Sequence, residues 1–248
     1  MTAAPADRRE AHSFLATRTL YADDALIVID KPWGLPVQKG TRTAADLDTL
    51  LSGLATSAAD RLRLTHRLDK ETTGCLLLAR SRDVAAKIGR QFAAGRIGKT
   101  YWAITLGVPE PRSGHVLAPL LKTRTPLGDR VVAAEPEHAA QAWHAATDYE
   151  VIREARGRHA LVELRPRTGR QHQLRAHLAH LGTPVLGDVL YGGDAGLGPG
   201  LERKLHLHAR MISFRHPASG RSCDVVAPMP DHMVLALRRL GIGLEVAA

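Results

Sequence analysis

Thr65-His66-Arg67-Leu68-Asp69-Lys70-Glu71-Thr72-Thr73-Gly74-Cys75-Leu76-Leu77-Leu78-Ala79 carries two signals side by side. The run from Cys75 to Ala79 is apolar at every position, the pattern of a strand buried on both faces. The stretch before it is polar and ends on Gly74, which allows the backbone a tight turn. A loop held between two apolar segments is a place where a scaffold can present chemistry. Asp69 stands in that loop among His66, Arg67, Lys70 and Glu71. A loop aspartate is ordinarily a turn residue or a helix cap, so its position alone leaves both readings open.

Outward from this stretch, Leu26-Ile27-Val28-Ile29 reads as a buried strand after a turn at residues 21–25. Lys31-Pro32-Trp33-Gly34-Leu35-Pro36 closes that strand with a loop. Residues 44–54 carry Leu47, Leu50, Leu51 and Leu54 at helical spacing. Residues 84–94 predict a second helix closed by Gly95, and residues 100–106 a strand. Prolines and glycines break residues 109–137 into short strands and a long surface loop. Residues 142–153 and 159–165 predict a strand pair, 170–181 a helix, 205–214 and 224–227 further strands, and 233–240 a last helix. Strands and helices mix without repeat or regular alternation. The expected fold is α+β, with a mixed, mostly antiparallel central sheet and flanking helices. Residues 1–16 lack periodicity and are expected to be a flexible N-terminal tail. No long linker interrupts residues 17–248, which are expected to form one catalytic domain.

Leu164-Arg-Pro-Arg-Thr168-Gly169-Arg170-Gln171-His172-Gln173-Leu174-Arg175 is a second informative block. Thr168 is a candidate N-cap and Gln171 would complete a capping box. Leu174, Leu178 and Leu181 form an apolar stripe, and Arg170 stands four residues before Leu174 on the same stripe. An inward Arg needs a carboxylate partner, and the helix dipole disfavours a cation at that end. An arginine that snorkels to solvent is the plainer alternative.

The chain has 248 residues, with 34 Lys and Arg against 25 Asp and Glu, a formal charge of +9. That excess favours a polyanionic partner, and its Arg bias suits phosphate forks and base stacking. Cys75 and Cys223 lie far apart, which excludes a disulfide framework or a cysteine zinc site. No apolar run is long enough to span a membrane, and residues 1–10 lack a signal-peptide segment. The expected location is the cytoplasm.

The segment His66 to Gly74 resembles the signature of RluA-type RNA pseudouridine synthases, in which the loop aspartate is catalytic. The resemblance implies that Asp69 is the catalytic carboxylate within an RNA-binding cleft. The Leu164–Arg175 block is similar to the family's third motif and gives Arg170 the part of pairing with Asp69. Arg175 is a further candidate for that cluster or for RNA phosphate. Lys99-Thr100-Tyr101 matches the family's tyrosine motif, whose ring stacks on the target base. Arg67 is implied to fill the space left by a flipped uridine. His66 and Lys99 complete the expected RNA-binding set. Ile29-Asp30-Lys31-Pro32-Trp33-Gly34 resembles the first, structural motif, and Leu186-Gly187-Asp188 with Tyr191-Gly192 matches a block after the third.

Pseudouridine formation breaks the N1–C1′ bond of uridine and rejoins the base through C5. One ionised carboxylate beside the sugar can trap C1′ or take a 2′ proton. No cofactor and no metal are expected. The expected partner is RNA, ribosomal or transfer, met by a monomer with no obligatory protein partner. Only about 20 residues precede the first strand, too few for the S4-like domain that many relatives carry. Two rivals are a metal-dependent RNA hydrolase, for which His206 and His208 at strand spacing are the cue, and a non-catalytic RNA-binding assembly factor.

Overall fold

The computed structural model describes residues 8–38, 46–54, 57, 61–125 and 128–243. In chain order its elements are α1 (Arg8–Arg18), β1 (Thr19–Ala22), β2 (Leu26–Lys31), α2 (Leu47–Ser52), β3 (Arg63–Leu64), β4 (Thr73–Ala79), α3 (Arg82–Ala93) and β5 (Gly98–Leu106). There follow β6 (Ser113–Val116), β7 (Leu120–Thr125), β8 (Gly128–Ala133), β9 (Thr147–Ala155), β10 (His159–Pro166), α4 (Gln173–His180), β11 (Leu207–Arg215), β12 (Ser222–Val226) and α5 (Asp231–Leu240). The chain divides into two units, Met1–Lys99 with Ala209–Pro228, and Thr100–His208 with Met229–Ala248.

In the first unit the strands run in the order β1-β2-β4-β11, with β12 on β11 and β3 on β4. The β1–β2, β2–β4, β3–β4 and β11–β12 ladders are all antiparallel. All seven positions of β4 are buried, as its unbroken apolar run requires. Leu26, Val28, Cys75, Leu77 and Ala79 cluster on one face with Ile88 of α3 and with Ile212 and Phe214 of β11. Ser81 caps α3 by accepting from Val84 N.

The second unit carries the antiparallel order β5-β10-β9-β6 and a separate β7–β8 hairpin. Alternation along its strands divides the side chains between two helices. Ala103, Val162, Leu164 and Tyr149 pack against Leu174 and Leu178 of α4. Trp102, Ile104 and Leu161 face the other way, against Met233, Ala236 and Leu237 of α5.

The α+β architecture with mostly antiparallel sheet and flanking helices is thus the one expected. Several boundaries differ, among them those of the first two helices. Residues 8–18, assigned above mostly to a flexible tail, form α1. Its only buried side chain is Ala11, so the helix lacks the apolar stripe that would have revealed it. The expected start of α2 at residues 44–45 lies outside the described residues, as do residues 1–7 of the tail. The helix begins at Leu47 because Asp46 caps it, accepting from Thr49 N at 2.9 Å.

Gly74 opens β4 with φ +103°, and a Cβ there would lie 2.3 Å from the backbone oxygen of Ala209. The neighbour is backbone and cannot rotate away. Gly95, at φ +64°, has nothing within 4 Å of the same position. Gly74→Ala is expected to cost at least ~2 kcal/mol, and Gly95→Ala only ~1 kcal/mol. Urea unfolding midpoints of the two variants check the order.

Candidate active site

β3 ends at Leu64, opposite Leu78 of β4. One residue further, side chains replace the strand. Thr65 Oγ1 donates to Leu77 O at 2.6 Å, and Leu77 N donates to His66 Nε2 at 3.0 Å. Both backbone groups of Leu77 on that edge are therefore satisfied by the loop. His66 must carry its proton on Nδ1 to accept at Nε2. Its ring packs on Phe92, centroids 4.9 Å apart, and burial with nearby Lys99 draws its pKa down to about 3. His66 is thus a half-buried neutral ring tied to β4.

Beyond it, Arg67 and Lys70 are exposed, Leu68 is buried and Asp69 is half-buried. Thr72 N donates to Asp69 O at 3.1 Å, closing a turn. The carbonyl of Lys70 accepts from Gly34 N and from Lys31 Nζ, each at 3.0 Å. The peptide bond following Lys70, one residue beyond Asp69, is thus held by the loop that leaves β2. Thr72 and Thr73 are buried. The sequence therefore sets a carboxylate on a loop fixed at both ends. Lys99, half-buried on β5, has its pKa lowered by burial.

In the second unit, Tyr101 lies opposite Leu164 of β10 and packs partly buried against the α4 side of the sheet. Arg170 is exposed, and its Nε donates to His144 O at 3.1 Å. It does not stand on a helix, since α4 begins at Gln173 after His172 turns left-handed at φ 51°. The expected capping box at Thr168 and Gln171 is absent. Gln173 does that work instead. Its Oε1 accepts from Thr168 Oγ1 and Arg170 N, while its Nε2 donates to Ala146 O and Thr147 Oγ1.

Residues 25–180 match the RNA pseudouridylate synthase family. The chain belongs to the RluA family of RNA pseudouridine synthases. It is 41% identical over 220 residues to an uncharacterised RNA pseudouridine synthase of Zymomonas mobilis, covering 87% of this chain and 95% of that protein. It is 35% identical over 220 residues to the ribosomal large subunit pseudouridine synthase C of Rickettsia conorii, covering 88% and 70%. The solved structure of human RNA pseudouridylate synthase domain containing 4 superposes with a TM-score of 0.78 at 33% identity, covering 96% and 97%. The enzyme is accordingly an isomerase acting on RNA, not a hydrolase or a passive binding module.

Within the synthase, Arg175 does not reach for phosphate. It is 5% exposed, and its Nε and Nη2 fork onto Asp188 at 2.6 and 2.7 Å. Asp188 also accepts from the backbone N–H groups of Leu190 and Tyr191, and the Tyr191 ring lies 5.2 Å beneath the guanidinium. The pair is structural, which corrects the expected RNA-binding part of Arg175. His206, the cue for a metal site, instead bonds Leu186 O through Nδ1 at 3.0 Å and packs on the ring of His232. Among the described residues, no group of three or more His, Cys, Asp or Glu is placed to hold a metal ion. Sequence reasoning missed Gln173, whose polarity beside an apolar stripe was its one visible signal.

Two outcomes follow from these contacts. Asp188→Ala leaves the Arg175 charge buried without its fork and is expected to cost about 3–5 kcal/mol, read from the denaturant midpoint. His66 has a folded pKa depressed from 6.5 to about 3. Between those values the unfolded chain binds a proton that the folded one refuses, so stability drops as pH falls through that window. His66→Gln keeps an acceptor for Leu77 N and should flatten the acid side of a stability-versus-pH curve. An unchanged slope would count against the neutral ring.

Proposed function

We propose that Asp69 is the carboxylate that acts on the target uridine, with structured ribosomal RNA of the large subunit or tRNA as substrate. The observation that carries this reading is the double fixing of its loop, at Leu77 on one side and at the Lys70 carbonyl on the other. Rate gains from a positioned group are lost when it wanders by even an ångström. The isomerisation leaves no net hydrolysis, so the sugar intermediate needs one carboxylate rather than the water-delivering pair of a glycosidase. Asp69 serves either as nucleophile at C1′ or as base at the 2′ position.

In the same reading the Tyr101 ring stacks on the target base, and its place on a strand backed by a packed core suits a rigid platform. Arg170 is the cation assigned by resemblance to orient the carboxylate. Arg67 enters the space vacated by the flipped uridine, and its exposure supports that part. Lys99 is retained as an RNA contact. The name of the Rickettsia relative supports the large-subunit reading of the substrate. The enzyme is taken to work as a monomer in the cytoplasm, which sedimentation and cell fractionation check.

Asp69→Asn replaces an ionised oxygen with an amide that can neither attack nor accept the proton. Pseudouridine formation should fall by more than ~10³-fold, a barrier increase of about 4 kcal/mol, with RNA affinity nearly unchanged. Activity within about tenfold of wild type would remove Asp69 from the chemistry. Pseudouridine mapping in RNA from cells lacking the gene identifies the substrate.

A further inference from the structure

Residues 82–99 carry the cations Arg82, Lys87, Arg90, Arg96 and Lys99 against the single carboxylate of Asp83. Most of that stretch is α3. Its inner face is taken by Val84, Ala85, Ile88 and Phe92, which pack into the core of the first unit. Lys87 and Arg90, three residues apart and both exposed, are therefore neighbours on the outer face. The helix dipole accounts for Arg90, which stands in the last turn, but not for Lys87.

A third cation is brought beside them. The side-chain amide of Gln91 grips β11 in both directions, its Nε2 donating to Arg215 O at 2.7 Å and its Oε1 accepting from Arg215 N at 3.1 Å. Lys87 Nζ donates to Pro217 O at 3.3 Å. The turn between β11 and β12 is also tied from within, since the buried His216 accepts at Nδ1 from Ala218 N and Ser219 N. Arg215, exposed at the end of β11, is thus held against α3. Among the described residues no ion pair engages Lys87, Arg90 or Arg215. Lys87 and Arg215 end on carbonyl oxygens, which carry no counter-charge. Like charges fixed side by side repel, and a polyanion outside the chain offsets that repulsion. The face adjoins the Asp69 loop, for Phe92 of α3 packs on His66 with centroids 4.9 Å apart, next to the exposed Arg67.

We propose that α3 and the β11–β12 turn form a phosphate-docking face for the RNA that flanks the target uridine, with Lys87, Arg90 and Arg215 as its cations. The chain belongs to a family that acts on RNA, and phosphate oxygens are the anions such a substrate presents along its whole length. Contacts of this kind fix the register and orientation of the nucleic acid rather than read its sequence. The proposal rests on RNA as the substrate and is independent of the part assigned to Asp69.

The test is the salt dependence of RNA affinity, measured with an in vitro transcribed tRNA and a large-subunit rRNA domain. Wild type is compared with the combined variant Lys87→Gln, Arg90→Gln and Arg215→Gln. The control loses the same charge from other exposed positions, through Arg156→Gln, Arg158→Gln and Arg203→Gln. Each phosphate contact adds about 0.7–0.9 to the slope of log affinity against log salt. The combined variant should therefore flatten the slope by about 2–3 and bind at least about tenfold more weakly at about 0.1 M salt. The control should keep its slope within about 0.5 of wild type. With RNA from cells lacking the gene held at saturation, the combined variant should form pseudouridine within about twofold of the wild-type rate, because binding common to ground and transition states is what it loses. A combined variant with the wild-type slope overturns the proposal, and so does a control that flattens equally, which assigns the effect to net charge. If the combined variant fails to fold, the single substitutions decide: each should flatten the slope by about 0.7–0.9, and three unchanged slopes overturn the proposal. An active Asp69→Asn variant defeats the reading of Asp69 and leaves these slopes standing, whereas a wild-type slope in the combined variant defeats this proposal alone.

Discussion

Leu77 presents an N–H and a C=O to an edge that β3 has already left, and in a buried strand neither can go unpaired without a penalty of about 1–3 kcal/mol. Thr65 and His66 meet both. The Asp69 loop is consequently an extension of the sheet, carried on by side chains after the backbone ladder stops. From that anchor the chain runs past Arg67 and Leu68 to a second fixed point at Lys70 O. Asp69 lies between two restraints that come from different strands, β4 and β2. Local fraying at one of them leaves the other in place.

Among the described residues, the buried cations Lys31 and Arg175 are satisfied differently, and each residue type fits its surroundings. Asp188 offers two coplanar oxygens, which a planar guanidinium meets with two parallel bonds. Pro32, Leu35 and Lys70 offer single oxygens in divergent directions, which a rotating ammonium meets better than a flat fork. Arg175 is paired at once by a carboxylate, so its charge stays where folding puts it. Lys31 is bonded only to neutral groups, so its charge answers to carboxylates at longer range.

Apolar runs made β2, β4, β5 and β10 legible in the sequence, because successive buried positions leave little other use for them, and β9 was legible as the hairpin partner of β10. Helix α3 was legible from its spacing and from Gly95. Helix α4 was misread at its start. It is buried at every position from Gln173 to Leu178, and Gln173, Arg175 and His177 each spend their polar atoms inside. His177, for example, bonds Thr147 Oγ1 at 2.9 Å and Ala118 O at 3.0 Å. Partners so far away in the chain leave no periodic trace, so an arginine that folds inward reads the same as one that reaches for phosphate. The neutral state of His66 was hidden for the same reason, since its acceptor role depends on a backbone N–H eleven residues on. Asp69, Tyr101 and Arg170 became candidates through the resemblance and are ambiguous without it.

The hydroxyl of Tyr191 accepts from Val131 N at 3.1 Å and donates to Val131 O at 2.8 Å, standing in for a missing strand along β8. Arg130 adds a bond to Leu190 O at 3.1 Å. These ties grip the middle of β8, at Arg130 and Val131. A single phenol thus does for β8 what a neighbouring strand would otherwise do, and loss of that one oxygen strips two backbone groups of their partner at once.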